Sequence, residues 1–109
     1  MAFSNVADIF EGMPKAFNAA AAGNADLTFQ FDLSGPQGGT WNVVVKDGAC
    51  QVNQGAAEKP TVTIAMADTD YLDMINGKLN GVTAFMTGKL KATGDIMAAQ
   101  KLSSFFKLA

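Results

Sequence analysis

The chain has 109 residues, 49% of them hydrophobic and 17% charged, enough to hide about two thirds of an extended surface in one core and still leave an apolar surplus for a cavity or an interface. Lysines without any arginine or lysine run argue against nucleic-acid binding, and the formal charge of -2 is uneven: residues 1–75 hold three lysines against nine acids, 76–109 five lysines against Asp95. No histidine and a single cysteine exclude an intrachain disulfide and leave a transition-metal site almost nothing to build from.

Val6, Ile9, Phe10, Met13 and Phe17 recur at helical spacing behind the candidate caps Ser4 and Asn5, which predicts an amphipathic first helix. Pro14 lacks an amide hydrogen and is expected to break that helix near Gly12-Met13, with a second short turn running to Ala22 and closing at Gly23. Leu27, Phe29, Phe31 and Leu33 then alternate with Thr28, Gln30 and Asp32, the period of a strand with one buried face. The glycine-rich turn 34–39 leads into a second strand, 40–46, with Trp41, Val43 and Val45 on one side. Asp47-Gly48 predicts a two-residue hairpin turn of mirror-image type; if Lys46 faces Ala49, Val45 pairs with Cys50 and Val43 with Val52. Cys50 then reads as a small core residue rather than a nucleophile.

After Pro60, residues 61–66 alternate again with Val62, Ile64 and Met66 inward. Asp68 is read as the cap of a helix with Tyr71, Leu72 and Ile75 on its apolar side and Asn76-Gly77 as its stop. Residues 80–87 form another short helix carrying Val82, Phe85 and Met86; 89–93 form a strand with Leu90 and Ala92 on one face and Lys89, Lys91 and Thr93 on the other. From Gly94-Asp95 a last helix presents Ile96, Ala99, Leu102, Phe105 and Phe106 as a broad apolar face. This order, with mostly hairpin links, predicts one α+β domain over 1–109, its helices gathered on one face of the sheet.

Catalytic equipment is sparse. General acid-base work without histidine would fall to a buried carboxylate or lysine, yet the acids are scattered, and Asp68, Asp70 and Asp73 sit where they favour a helix macrodipole. Gly88-Lys89 resembles the end of a phosphate loop, but Thr83 stands at the first glycine and Leu90 at the hydroxyl position. Ser34, Ser103 and Ser104 have no histidine partner. The reading is a non-enzyme without cofactor or metal.

Gly39-Thr40-Trp41 running into Val45-Lys46-Asp47-Gly48, the strand after Pro60, Asn76-Gly77-Lys78-Leu79, and Ala84-Phe85-Met86-Thr87-Gly88-Lys89-Leu90-Lys91 with Gly94-Asp95 stand in an order and spacing that resembles the sterol carrier protein 2 family of lipid-binding domains. The resemblance runs from about Val6 to Phe106. It implies a five-stranded, mostly antiparallel sheet covered on one face by helices, with an apolar tunnel between the layers that accepts fatty acyl chains, sterols or phospholipids. One departure is Ser103, where many relatives carry a glutamine able to face the tunnel.

Tunnel-lining residues expected from the sheet are Phe31, Leu33, Trp41 and Met66, and from the helices Leu72, Ile75, Phe85, Met86, Leu102, Phe105 and Phe106. The expected function is non-catalytic intracellular binding and transfer of a lipid such as a fatty acid, fatty acyl-CoA, sterol or phospholipid. The alternative is an accessory or interaction module with a filled core, docking through its C-terminal helix with Phe105 and Phe106 as anchors. That helix is also expected to act as a movable lid, its Lys101 and Lys107, with Lys89 and Lys91 nearby, making transient contact with anionic membranes. The start of the chain lacks the basic and apolar regions of a signal peptide, no apolar run approaches the ~20 residues of a membrane span, and the ending is not the peroxisomal tripeptide, so a cytoplasmic protein is expected.

Overall fold

The computed structural model describes residues 5–101 together with Phe105 and Phe106. Strand β1 (Leu27–Ser34) is central: it pairs antiparallel with β2 (Gly39–Lys46) and parallel with β4 (Val62–Ala67). Strands β3 (Ala49–Gln54) and β5 (Leu90–Gly94) close the two edges, each antiparallel to its neighbour, in the order β3-β2-β1-β4-β5. The sheet is therefore the expected one, antiparallel except for its central pair. Five helices accompany it among the described residues: α1 (Val6–Ala16), α2 (Ala19–Ala22), α3 (Asp68–Ile75), α4 (Gly81–Met86) and α5 (Ile96–Gln100).

The hairpin register follows from the turn. Asp47 and Gly48 both adopt positive φ, 55° and 73°, as a mirror-image turn demands, and Lys46 faces Ala49, Val45 faces Cys50 and Val43 faces Val52. Phe29, Phe31, Val43, Val45, Val62 and Ile64 consequently share one buried face. Cys50 lies half-buried on that face, and burial pushes its thiol pKa up to about 11, leaving it protonated and unreactive at neutral pH.

The opposite face carries a polar row with a structural task. Strand β3 ends at the far edge while β4 begins beside β1, so the connection 55–61 crosses the outer face of the sheet. Gln30, Asn42 and Asn53 lie in one cross-strand row beneath it. The Asn42 amide donates to the Gly55 carbonyl (3.0 Å) and accepts from Asn53 (3.1 Å), while the Ala57 amide donates to Gln30 Oε1 (3.0 Å). Asn42 is therefore buried yet satisfied. Two reciprocal bonds between Thr28 and Thr61, 2.8 and 3.0 Å, then set the parallel register of β4.

Helices cover the inner face. Asn5 caps α1 by accepting from the Asp8 amide at 2.9 Å, a contact worth about 1 kcal/mol, and Val6, Ile9, Phe10 and Met13 pack onto the sheet. The expected break at Gly12-Met13 does not occur: α1 runs through Pro14 to Ala16. Pro14 lies in the last turn, where it removes a single intrahelical bond, and the buried stripe that precedes it outweighs that loss. Asn18 caps α2, which closes at Gly23 as anticipated.

Asp68 differs from expectation. Ala67 occupies the N-cap of α3 without a side-chain bond, and the buried Asp68 carboxylate instead accepts from the Gln37 amide (2.8 Å) and the Thr69 amide (2.7 Å). Gln37 passes the link on, its Oε1 accepting from the Val6 amide at 2.9 Å. The 34–39 turn is thereby clamped between α1 and α3. Gly35 at φ 105° belongs to the clamp, since a Cβ there would overlap the Asp68 carboxylate. Asp68→Ala is expected to cost ~1–3 kcal/mol by leaving a part-buried amide unpaired, and Gly35→Ala is expected to destabilise as well, both read as lowered midpoints in urea unfolding; unchanged midpoints would remove the clamp from the account.

Candidate functional site

A cavity of about 730 Å³ lies between the β4–β5 half of the sheet and the helices. Its floor is one cross-sheet row, Phe31 facing Ile64 and Ile64 facing Ala92, with Leu90 beside it. Because Ala92 ends the row in a single methyl, the floor falls away towards the β5 edge and leaves space above it. One wall is the inner stripe of α3, Tyr71, Met74 and Ile75; another is α5, with Ile96, Ala99 and Gln100. Met13 of α1 and Phe106 also line the interior, while Val82 and Phe85 of α4 stand at the outer side. The volume falls within the ~300–1,000 Å³ of ordinary ligand pockets.

No charged side chain lines this cavity among the described residues. Its polar side-chain groups are the amide of Gln100, on the exposed side of α5, and the hydroxyl of Tyr71, which is fully buried. Tyr71 packs between Phe10 and Phe31 with ring centroids 5.7 and 5.6 Å away, and desolvation drives its pKa well above the usual tyrosine value. A second depression of about 590 Å³, near the start of α1, is bordered by Asn5, Asp8, Gln37, Thr40, Trp41 and Gln54. Its border is polar, with no convergent titratable cluster, and among the described residues no group of His, Cys, Asp and Glu side chains is placed to hold a metal.

The profile of the SCP-2 sterol transfer family matches residues 9–107. This chain belongs to the SCP-2 sterol transfer family. It is similar to hydroxysteroid dehydrogenase-like protein 2 of Mus musculus, 35% identical over 101 residues covering 92% of this chain and 21% of that protein. It is also similar to sterol carrier protein 2 of Gallus gallus, 43% identical over 79 residues covering 70% of this chain and 14% of the relative. The chain thus spans about a fifth or less of these curated relatives. The solution structure of palmitated SCP2L2 from Aedes aegypti superposes with a TM-score of 0.71 at 26% identity, covering 92% of each chain.

Of the tunnel residues expected from the SCP-2 resemblance, Phe31, Ile75, Phe85 and Phe106 line the cavity. Leu33 and Met66 face each other one step further along the sheet, buried in solid core. Trp41 points to the helix layer but stacks on Phe10, 4.5 Å and 7° between rings, and borders the polar depression instead. Its indole therefore reports the docking of α1. Leu72 packs against the core, and Phe105 meets Phe29 edge-on at 6.4 Å. Met86 is exposed at 79% because α4 turns Ala84, not its large residues, to the interior; only a small residue admits so close an approach of a short helix. Leu102 and Ser103 lie outside the described residues.

Two other expectations are revised. Phe105 and Phe106 are both buried, Phe106 against Phe17 at 5.5 Å, and so offer no anchors for a docking face. Lys91 alternates with the cavity-lining Leu90 and Ala92 and faces away from the helices, separated by the sheet from Lys101. Periodicity left Met74 off the apolar side of its helix, although it lies three positions beyond Tyr71 on the same face; it put Ile64, Leu90, Ala92, Ile96 and Ala99 on apolar faces without placing them at the cavity, where Ile64 and Ala92 join Phe31 only through the pairing of β1 with β4 and of β4 with β5.

Tyr71 on the cavity wall and Cys50 in β3 make the stability of the fold pH-dependent. Burial raises both pKa values above the ordinary 10.0 of a tyrosine and 9.0 of a cysteine, so the folded state holds these protons more tightly than the unfolded chain does. Their contribution is complete below pH 9 and is lost as the unfolded chain ionises above it. Unfolding free energy is expected to fall as pH rises from about 9 to 11, and a Tyr71→Phe, Cys50→Ala variant should show a shallower fall in chemical denaturation. Equal slopes in the two proteins would count against the burial described here.

Proposed function

We propose that this chain binds an apolar lipid in the cavity between β4–β5 and the helices and transfers it unaltered between bilayers in the cytoplasm. The observation that carries this reading is the cavity itself: about 730 Å³ with an apolar wall and no charged lining residue among those described. The palmitate in the Aedes aegypti neighbour and the sterol in the names of the family and its relatives point to a fatty acyl or sterol cargo. Each buried methylene contributes ~0.8 kcal/mol. About fifteen give ~12 kcal/mol, which leaves micromolar affinity after ~4 kcal/mol of lost translational and rotational freedom. A non-catalytic role agrees with a chain lacking histidine whose one thiol is held protonated.

Ala92→Phe places a ring over the cavity floor and is expected to lower affinity for a fluorescent fatty acid about tenfold or more, with cooperative unfolding retained. Unchanged affinity would move the binding site elsewhere, and no binding of fatty acid or sterol by the wild type at micromolar concentration would overturn the lipid reading.

The mouth of the cavity supports the transfer half of the proposal. Every exposed large hydrophobic residue described lies on α4 or α5: Val82 (68%), Phe85 (49%), Met86 (79%), Ile96 (38%) and Met97 (72%). Val82, Phe85 and Ile96 also line the cavity, whereas Met86 and Met97 do not, so cargo leaves the last two uncovered. Residues 76–101 carry four lysines against Asp95, and Lys78, Lys89 and Lys101 are exposed around the two helices. An apolar rim continuous with a lipid cavity and flanked by cations fits an anionic bilayer, each lysine adding ~1 kcal/mol at low salt. Changing Met86 and Met97 together to glutamate is expected to slow transfer from anionic vesicles severalfold while equilibrium binding stays the same; equal transfer rates would sink the docking assignment and leave the cargo assignment standing.

A further inference from the structure

One buried polar atom on the cavity wall is not used by the fold. Tyr71 Oη has no hydrogen-bond partner and an accessible area below 1 Å², the only such buried side-chain atom among the described residues. Asn42 and Asp68, the other buried polar residues among those described, are both bonded. An orphaned hydroxyl costs ~1–3 kcal/mol, and phenylalanine would fill the same space between Phe10 and Phe31 without that cost. The cost falls on the wall of the cavity, because Tyr71 lines it. Met74, three residues further along α3, shares that wall, and its flexible thioether gives the wall beside Tyr71 room to adapt to an incoming group.

We propose that Tyr71 is the specificity-determining residue of the cavity, its hydroxyl donating a hydrogen bond to a neutral oxygen of the bound lipid: an alcohol, ketone or ester carbonyl. This rests on the lipid-binding reading above. The phenol stays protonated, so it acts as a donor. The charge state of the acceptor follows from the rest of the wall. With no cation lining the cavity, a carboxylate held at Tyr71 would be a buried charge with one neutral partner, which is far costlier than a neutral oxygen in the same place. An anionic group is better placed at the mouth, near Lys78, Lys89 and Lys101. The cavity therefore prefers a lipid whose neutral oxygen leads inward, and a fatty acid enters with its carboxylate outward.

The test compares wild type with Tyr71→Phe by displacement of a fluorescent fatty acid, using palmityl alcohol and hexadecane as matched competitors, with thermal unfolding of the unliganded proteins alongside. The wild type should bind the alcohol about five- to tenfold more tightly than Tyr71→Phe does, as one buried hydrogen bond provides. Hexadecane and palmitate should compete equally in the two proteins, and the empty variant should melt at the same temperature as wild type or higher. Equal affinity of the two proteins for the alcohol would overturn the inference while leaving the lipid reading intact, as would a lower melting temperature of the empty variant, which would show that the hydroxyl already has a partner. If wild type binds neither the fluorescent acid nor either competitor, it is the lipid reading that fails.

Discussion

The structure hangs on one strand whose two faces are given different work. Strand β1 turns Phe29, Phe31 and Leu33 to the helices and Thr28, Gln30 and Asp32 to the other side, and all of its backbone bonding capacity is used, antiparallel towards β2 and parallel towards β4. The apolar side anchors the aromatic cluster in which Phe10 meets Phe31, Trp41 and Tyr71. Contacts of this geometry add ~0.5–1.5 kcal/mol each beyond their burial. The polar side holds the crossing connection through Gln30. A one-residue slip of β1 would exchange both tasks at once.

The parallel pairing also decides where the empty space lies. On the β3 side of the sheet the layer above is α1, whose Phe10 reaches across to Trp41 and Phe31 and whose large buried residues fill the space. Over β4 and β5 the cover comes from α3, α4 and α5, of which the last two are short and turn Ala84, Ala98 and Ala99 inward. Small residues on both layers, with Ala92 below, prevent the close packing seen on the other half. Of these alanines, Ala92 and Ala99 line the cavity, where a larger side chain would fill it. Its mouth coincides with the exposed rim because α4, lacking a second large buried face, leaves Val82 and Met86 outward.

Polar groups inside the molecule divide into two kinds. Asn42 and Asp68 each organise backbone that would otherwise be unsupported, the crossing connection in one case and the 34–39 turn in the other. The Tyr71 hydroxyl organises no backbone and has no partner among the described residues. It is a buried donor that the fold has not engaged, on the wall of an otherwise apolar cavity, and the proposed specificity rests on it.

Much of this was legible in the residues. Period-two alternation along β1, β2 and β4 gave the buried face, and Asp47-Gly48 gave the β2–β3 register, because both depend on local geometry alone. The family segments carried the fold over nearly the whole chain. Four cavity residues, Phe31, Ile75, Phe85 and Phe106, were also within reach. The pairing of Phe31 with Ile64 and Ala92 was not, since parallel neighbours far apart in the chain leave no local trace. Nor was the continuity of α1 through Pro14, which depends on how strongly the sheet holds the preceding turns, or the bond from Asp68 to Gln37, thirty-one residues away. Sequence determined which residues are apolar and at what period they recur; tertiary structure alone decided which of them meet, because packing volume and long-range hydrogen bonding are properties of the assembled layers.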